Sequence, residues 1–275
     1  MPVSKTGTSE NTPSSKMELM EKFVPILLII SVGLAFVVGM LWQKVSFLEG
    51  GGVANTQQLA GDTVQQVPTA SLDQIKDLFN QDVIKFGSAD SDIIFVEIAD
   101  PSCPFCHIAG GKNPELNAEV GPQYKLVTDG GTYTAPVVEM KRMLDSGEAS
   151  FVWLYSNGHG NGELGTKAMY CADEVDRFWE AHDLLMTNAG YEILNNVVLN
   201  DVTKSGQLAE FLAPAVDRSH IQECLESGRY DGRIADEQAL SRSLGVTGTP
   251  GFFINDVNFA GAYSWEDMKP TVDAI

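Results

Sequence analysis

An apolar run, "DIIFVEIAD" at residues 92–100, leads directly into "PSCPFC", and this junction constrains the chain more than any other feature. Nine residues rich in β-branched side chains, with no alternation of polar positions, suit a central strand buried on both faces. The five residues Cys103-Pro104-Phe105-Cys106-His107 then read in two ways. As C-x-x-C-H they are the attachment signature of a c-type haem; as C-x-x-C after a strand they are a redox dithiol. The motif alone leaves both readings open.

The remaining chain supplies the context. Ser71 can cap a helix in "SLDQIKDLFNQDVIKFG" that carries Leu72, Ile75, Leu78, Phe79 and Val83 on one face. A second buried strand is "SFVWLY" at 150–155, preceded by the helical "APVVEMKRMLDSG", whose Gly147 makes a stop. From Gly165 to Leu244 apolar residues recur three and four apart, which predicts a block of helices. "TGTPGFFINDVNFAGAYS" reads as two short strands joined by an Asn-Asp turn, and "SWEDMKPTVDAI" as a closing helix. The order predicts an α/β sheet interrupted by a helical insertion at about 160–244.

Ahead of this body, residues 23–42, "FVPILLIISVGLAFVVGMLW", hold no charge and have about the length that spans a hydrocarbon core of roughly 30 Å as a helix. The run is longer than the 7 to 15 apolar residues of a cleaved signal, which favours an uncleaved anchor. Lys5, Lys16 and Lys22 precede it and only Lys44 follows closely, so the bias puts the N-terminus in the cytoplasm and the body outside. The expected organisation is a disordered cytoplasmic tail at 1–22, a transmembrane anchor at 23–42, a flexible tether at 43–70 and a folded domain at 71–275.

The net charge of −19 lies wholly beyond residue 42, since three Lys and three Glu cancel before it. Such a field repels phosphate backbones and excludes nucleic acid as a natural partner. His159, His182 and His220 make no metal-ligand spacing, Cys171 and Cys224 lack the knuckle spacing of a zinc site, and no phosphate-binding glycine loop occurs. No metal or cofactor is expected. The Gly-rich "GHGNGELG" at 158–165 reads simply as a loop into the insertion, and His182 as a packing residue beside Phe178 and Trp179.

"FVEIADPSCPFC", "CADEVDRFWEAHDLL" and "LGVTGTPGFFIN" with Thr249-Pro250 together resemble the thioredoxin superfamily, and more closely the DsbA-like thiol:disulfide oxidoreductases with a helical insertion. The resemblance covers about residues 71–275. It implies a thioredoxin fold, a cis peptide before Pro250 beside the dithiol, and redox rather than haem chemistry. It also implies that the protein passes a disulfide to secreted or membrane proteins and is reoxidised by a quinone-linked membrane partner. Two departures stand out. DsbA carries His where this chain has Phe105, and the family continues its helix beyond C-x-x-C, whereas Gly110, Gly111 and Pro114 break it here and open an insertion at 108–135.

A cysteine at a helix N-terminus meets unpaired N–H groups that favour a thiolate, so Cys103 is the expected nucleophile and Cys106, a turn further on, the resolving thiol. Pro104 fixes the backbone between them and Phe105 offers substrate an apolar surface. His107 reads as a partly exposed helix residue. Glu97 lies in mid-strand, where a buried carboxylate must be paired or protonated; the resemblance implies that it shuttles the proton of Cys106, and a carboxylate at an exposed strand edge is the alternative. Cys171 and Cys224, each on an amphipathic helix, suggest a structural disulfide in an exported protein, with two unbridged thiols as the other possibility. Three rivals to an oxidase remain: a reductase or isomerase of the same fold, a redox-inactive binding module or chaperone, and the haem protein.

Overall fold

The structure, a computed structural model, describes residues 70–275. The expected tail, the anchor at 23–42 and the tether up to residue 69 lie outside the described residues. Among the described residues no helix is long and apolar enough to cross a membrane.

Helix α1 (Leu72–Asp77) opens with a reciprocal capping box, in which the Ser71 hydroxyl accepts from the Gln74 N–H and the Gln74 side chain from the Ser71 N–H. It is shorter than the sequence predicts. Leu72, expected on the apolar face, is 37% exposed, whereas Ile75, Leu78, Phe79 and Val83 join the core on this side of the sheet, Val83 from beyond the helix. The chain then forms β1 (Ile84–Phe86), a strand too short for a two-residue period to register in the sequence. Next come β2 (Ile94–Ala99), α2 (Pro104–Gly110), α3 (Pro114–Val120), α4 (Pro136–Asp145) and β3 (Ser150–Tyr155). Gly111 at φ 66° ends α2 in the left-handed region, as its glycines predict.

Six helices lie between β3 and β4: α5 (Glu163–Asp173), α6 (Phe178–Leu185), α7 (Asn188–Glu192), α8 (Ser205–Leu212), α9 (Arg218–Glu226) and α10 (Asp231–Ser243). A π-helical turn at Ile193–Val198 follows α7. Cys171 on α5 and Cys224 on α9 are bonded, with Cα atoms 6.0 Å apart. The chain closes with β4 (Gly251–Ile254), β5 (Val257–Ala260) and α11 (Trp265–Asp273).

The sheet order is β1-β3-β2-β4-β5. β2 pairs parallel with β3 and antiparallel with β4, which makes it the central strand, and all six of its residues are buried. Alternation assigns its side chains to two cores. Ile94, Val96 and Ile98 pack with Ile75, Leu78, Val152 and Phe253 on one face. Phe95 and Ala99 join Phe151, Trp153 and Tyr155 on the other, together with Cys103, Cys106 and the insertion's Leu164, Met169 and Phe178. Glu97, between Phe95 and Ala99, therefore projects toward the face that holds the dithiol.

Candidate active site

The dithiol sits where β2 ends. Asp100 C=O accepts from the Cys103 N–H at 2.9 Å, turning the chain into α2, and Pro104 occupies the first helical position, where a missing N–H leaves nothing unpaired. Cys103 retains 5% exposure and Cys106 none. Both thiols are free. Cys103 Sγ lies 3.5 Å from the Thr249 carbonyl, and the Asp100 N–H reaches Cys106 Sγ at 3.4 Å. The Thr249-Pro250 peptide is cis and lies against Cys103 although 146 residues separate Thr249 from it.

The two sulfurs are electrostatically unequal. The Cys103 thiol is pulled down to about 6, first by hydrogen bonding from Cys106, then by Thr249 and by the N–H groups of Cys106 and Phe105, against the opposing effect of burial. The Cys106 thiol is pushed well above the ordinary thiol range, mainly by burial, then by its donation to Cys103 and the charge there. A thiolate on Cys103 and a thiol on Cys106 are thus the paired states at neutral pH.

Glu97 is fully buried, and neither carboxylate oxygen has a hydrogen-bond partner. Burial raises it to about 7, with the charge of His182 acting the other way. It does not lie on an exposed edge, because β2 is flanked on both sides. His182 packs as the sequence predicts, with ring centroids 5.7 Å from Phe178 and 5.3 Å from Trp179.

His107 differs from expectation. It is fully buried rather than partly exposed, because the insertion covers this side of α2. Its Nε2 lies 2.8 Å from the Pro101 carbonyl and its Nδ1 2.9 Å from the Met186 carbonyl, and burial lowers it to about 4. Neutral, the ring donates to one of these carbonyls, and with both nitrogens facing buried main chain neither points to a haem crevice, which removes the main attraction of the C-x-x-C-H reading.

Phe105 is 40% exposed, as expected of a contact surface, and meets Tyr124 edge-on at 5.9 Å. Tyr124 comes from the 108–135 insertion, which thereby extends the apolar rim around the dithiol; only its placement as an aromatic within that insertion could have suggested this. A groove lined by Val246, Thr249, Pro250, Ala260 and Gly261 adjoins the site through Thr249, whose carbonyl contacts Cys103 Sγ.

Residues 137–274, half of the chain, match the family model described as Thioredoxin. Among solved structures, oxidised BdbD from Bacillus subtilis superposes with a TM-score of 0.50 at 17% identity, covering 70% of this chain and 91% of its own. The thiol-disulfide exchange protein alpha-DsbA2 from Wolbachia pipientis gives 0.51 at 18% identity, over 74% and 92%. Alpha-DsbA1 from the same organism gives 0.52 at 16%, over 70% and 90%. Among curated proteins, the Na(+)/H(+) antiporter NhaA 3 of Salinispora tropica is 25% identical over 190 residues, which is 68% of this chain and 24% of that protein. The NhaA 1 antiporter of Salinispora arenicola is 26% identical over 189 residues, with the same shares. The chain spans about a quarter of the length of these curated relatives, and so partial a match carries no transport function. Family match and mixed sheet agree: the chain belongs to the thioredoxin family and has the fold of the DsbA-type thiol-disulfide exchange proteins.

Proposed function

We propose that this protein is a membrane-anchored disulfide donor, which oxidises cysteine pairs in secreted or membrane proteins outside the cytoplasm. The observation that carries this reading is the depression of Cys103 to about 6 beside a Cys106 held far higher. A thiolate stabilised in the reduced protein makes the disulfide the stronger oxidant. At pH 7 a group of that pKa is about nine-tenths ionised, which favours the reduced form by about 1.4 kcal/mol, or about 30 mV for two electrons.

In the reaction, a substrate thiolate attacks Cys103 Sγ of the Cys103–Cys106 disulfide. The Sγ–Sγ bond breaks, a substrate–Cys103 disulfide forms, and Cys106 leaves with the electron pair and takes up a proton. Glu97, near half-protonated at neutral pH, supplies that proton from the same core face. A second substrate thiolate then attacks the substrate sulfur and expels Cys103 as its stabilised thiolate. The substrate has lost two electrons and the dithiol has gained them. A quinone-linked membrane oxidoreductase takes them away and restores the disulfide. Phe105 and Pro104 shape the substrate's approach, with Thr249 and Pro250 opposite.

The donors that a His at position 105 would supply come here from Thr249 and the main chain. Anchoring rests on the uncharged run at 23–42 and the Lys bias around it, and export on the Cys171–Cys224 bridge, which an oxidising compartment maintains. Equilibration of the dithiol with glutathione tests the direction. A potential above about −200 mV is expected of a donor; one below about −250 mV would make the protein a reductase. Protease protection of the domain in intact cells, lost on opening the outer side, tests its location.

A further inference from the structure

Asp100, the residue after β2, is fully buried, and its carboxylate is the most heavily bonded group near the dithiol. Oδ1 accepts from the Ser102 N–H at 2.8 Å and the Ser102 hydroxyl at 2.6 Å. Oδ2 accepts from the N–H groups of Gly158 and His159, each at 2.8 Å, and faces that of Gly160 at 3.4 Å. The main chain of the same residue contacts Cys103 N–H and Cys106 Sγ. One residue thus ties both cysteines to a loop 58 to 60 residues away.

That loop presses on the site. A Cβ at Gly158 would lie 1.7 Å from Thr249 Oγ1 and 3.4 Å from Cys103 Cβ, and one at Gly162 would lie 1.8 Å from Asp100 Oδ1. Close approach, not backbone conformation, requires glycine at both positions. The loop is also held from the insertion, where Asn200 Nδ2 donates to the Gly160 carbonyl at 2.8 Å and Asn161 Nδ2 to Asn195 Oδ1 at 3.1 Å. Against this wall, Thr249 Oγ1 is shielded from solvent and has no partner. A buried hydroxyl donor left open beside a thiol is matched only when that thiol ionises.

We propose that Asp100 is a positioning residue of the dithiol: by gathering the N–H groups of residues 158–160 it seats Gly158 against Thr249 and so holds Thr249 against Cys103, with its open hydroxyl free to donate when the thiol ionises. The proposal rests on Cys103 being the nucleophile. It gives the GHGNG stretch a task beyond connection, as the third wall of the substrate groove beside Phe105 and the cis-proline loop.

Charge and positioning make opposite forecasts, which allows a clean test. The titratable groups around Cys103 are Cys106 on α2, Asp100 and Glu97 at β2 and Tyr191 on α7, with His107 turned away to the Pro101 and Met186 carbonyls. Removing the negative charge of Asp100 alone would favour the thiolate and lower its titration midpoint. Losing the loop and the Thr249 donor raises it. The experiment is the pH dependence of iodoacetamide modification of Cys103 in the reduced full chain, for wild type, Asp100→Asn, Gly158→Ala, Thr249→Ala and the Gly158→Ala/Thr249→Ala double variant. Asp100→Asn and Gly158→Ala should each raise the midpoint by about one pH unit, a tenfold loss of thiolate below it. The double variant should match Thr249→Ala, since the hydroxyl that the added methyl group would strike is gone. An unchanged or lowered midpoint in Asp100→Asn overturns the proposal. Should that variant not fold, Gly158→Ala decides, because it keeps the carboxylate of Asp100 and its charge while the added methyl group pushes the loop off Thr249, and an unshifted midpoint there is equally fatal. If wild-type Cys103 itself titrates in the ordinary thiol range, the assignment of the nucleophile fails; a depressed wild type with unshifted variants sinks only the part given to Asp100.

Discussion

The chain holds two cysteine pairs in one hydrophobic core, and almost nothing about their burial distinguishes them: Cys103, Cys106, Cys171 and Cys224 are all at most 5% exposed. Their surroundings do. Cys103 lies among thiol, hydroxyl and main-chain donors, beside a groove, whereas Cys106 sits deeper with its proton retained. The pair on α5 and α9 joins two amphipathic helices across a separation of 53 residues, with Arg229 Nε 3.2 Å from Cys224 Sγ. A disulfide becomes exchangeable when one of its sulfurs is reachable and leaves well; it stays structural when neither is and the loop it closes is long.

Breaking the first pair should have the largest effect. Cys103→Ser is expected to abolish oxidation of a reduced peptide substrate, while Cys106→Ser accumulates substrate–Cys103 disulfides, visible on non-reducing gels. Equal trapping through Cys106 in a Cys103→Ser variant would reverse the assignment of roles.

Breaking the second pair should spare the chemistry and weaken the fold. Removing Cys171 and Cys224 together should lower unfolding free energy by about 4 kcal/mol from loop-closure entropy, in denaturant titrations, with the Cys103/Cys106 potential nearly unchanged. A large change in potential would mean that the two pairs are coupled through the core they share.

Glu97→Gln sharpens the comparison, because it alters the core behind the reactive pair alone. The carboxyl rises from 4.5 to about 7 on folding, so its contribution is complete below about 4.5 and is lost as pH increases through 7. The amide of the variant cannot ionise. Glu97→Gln should therefore hold its stability between pH 5 and 8 where the native protein loses up to about 3 kcal/mol, and should resolve mixed disulfides more slowly. Parallel stability curves would show that Glu97 titrates normally.

The smallest effect belongs to the rim. Phe105→Ala should cost about 1 kcal/mol of stability through its lost contact with Tyr124, and should raise KM for peptides with apolar residues near the cysteine while kcat holds. A fall in kcat alone would place Phe105 in the chemistry instead.

Much of this is legible in one dimension. The mostly apolar run of β2, its C-x-x-C and the helical periodicity beyond Gly165 are local patterns, and local patterns are fixed by spacing and side-chain type. Ser71 announces a helix start in the same way, while the reciprocal bond from Gln74 came with the structure. Glu97 stands out because a carboxylate interrupts an apolar run, but its burial depends on strands on both sides. The burial of His107 is not legible, because helical position says nothing about the insertion that covers it.

The sequence by itself therefore determined the main elements apart from β1, the C-x-x-C at the end of β2 and the order in which they come. Only the tertiary structure decided which distant groups meet them: Thr249 against Cys103, the 158–160 loop on the carboxylate of Asp100, Tyr124 on Phe105, and Cys171 opposite Cys224. The physical reason is one of range. Hydrogen-bonding propensity and hydrophobic period act over a few residues, but pKa, burial and access are sums over everything packed within a few ångströms, whatever its place in the chain.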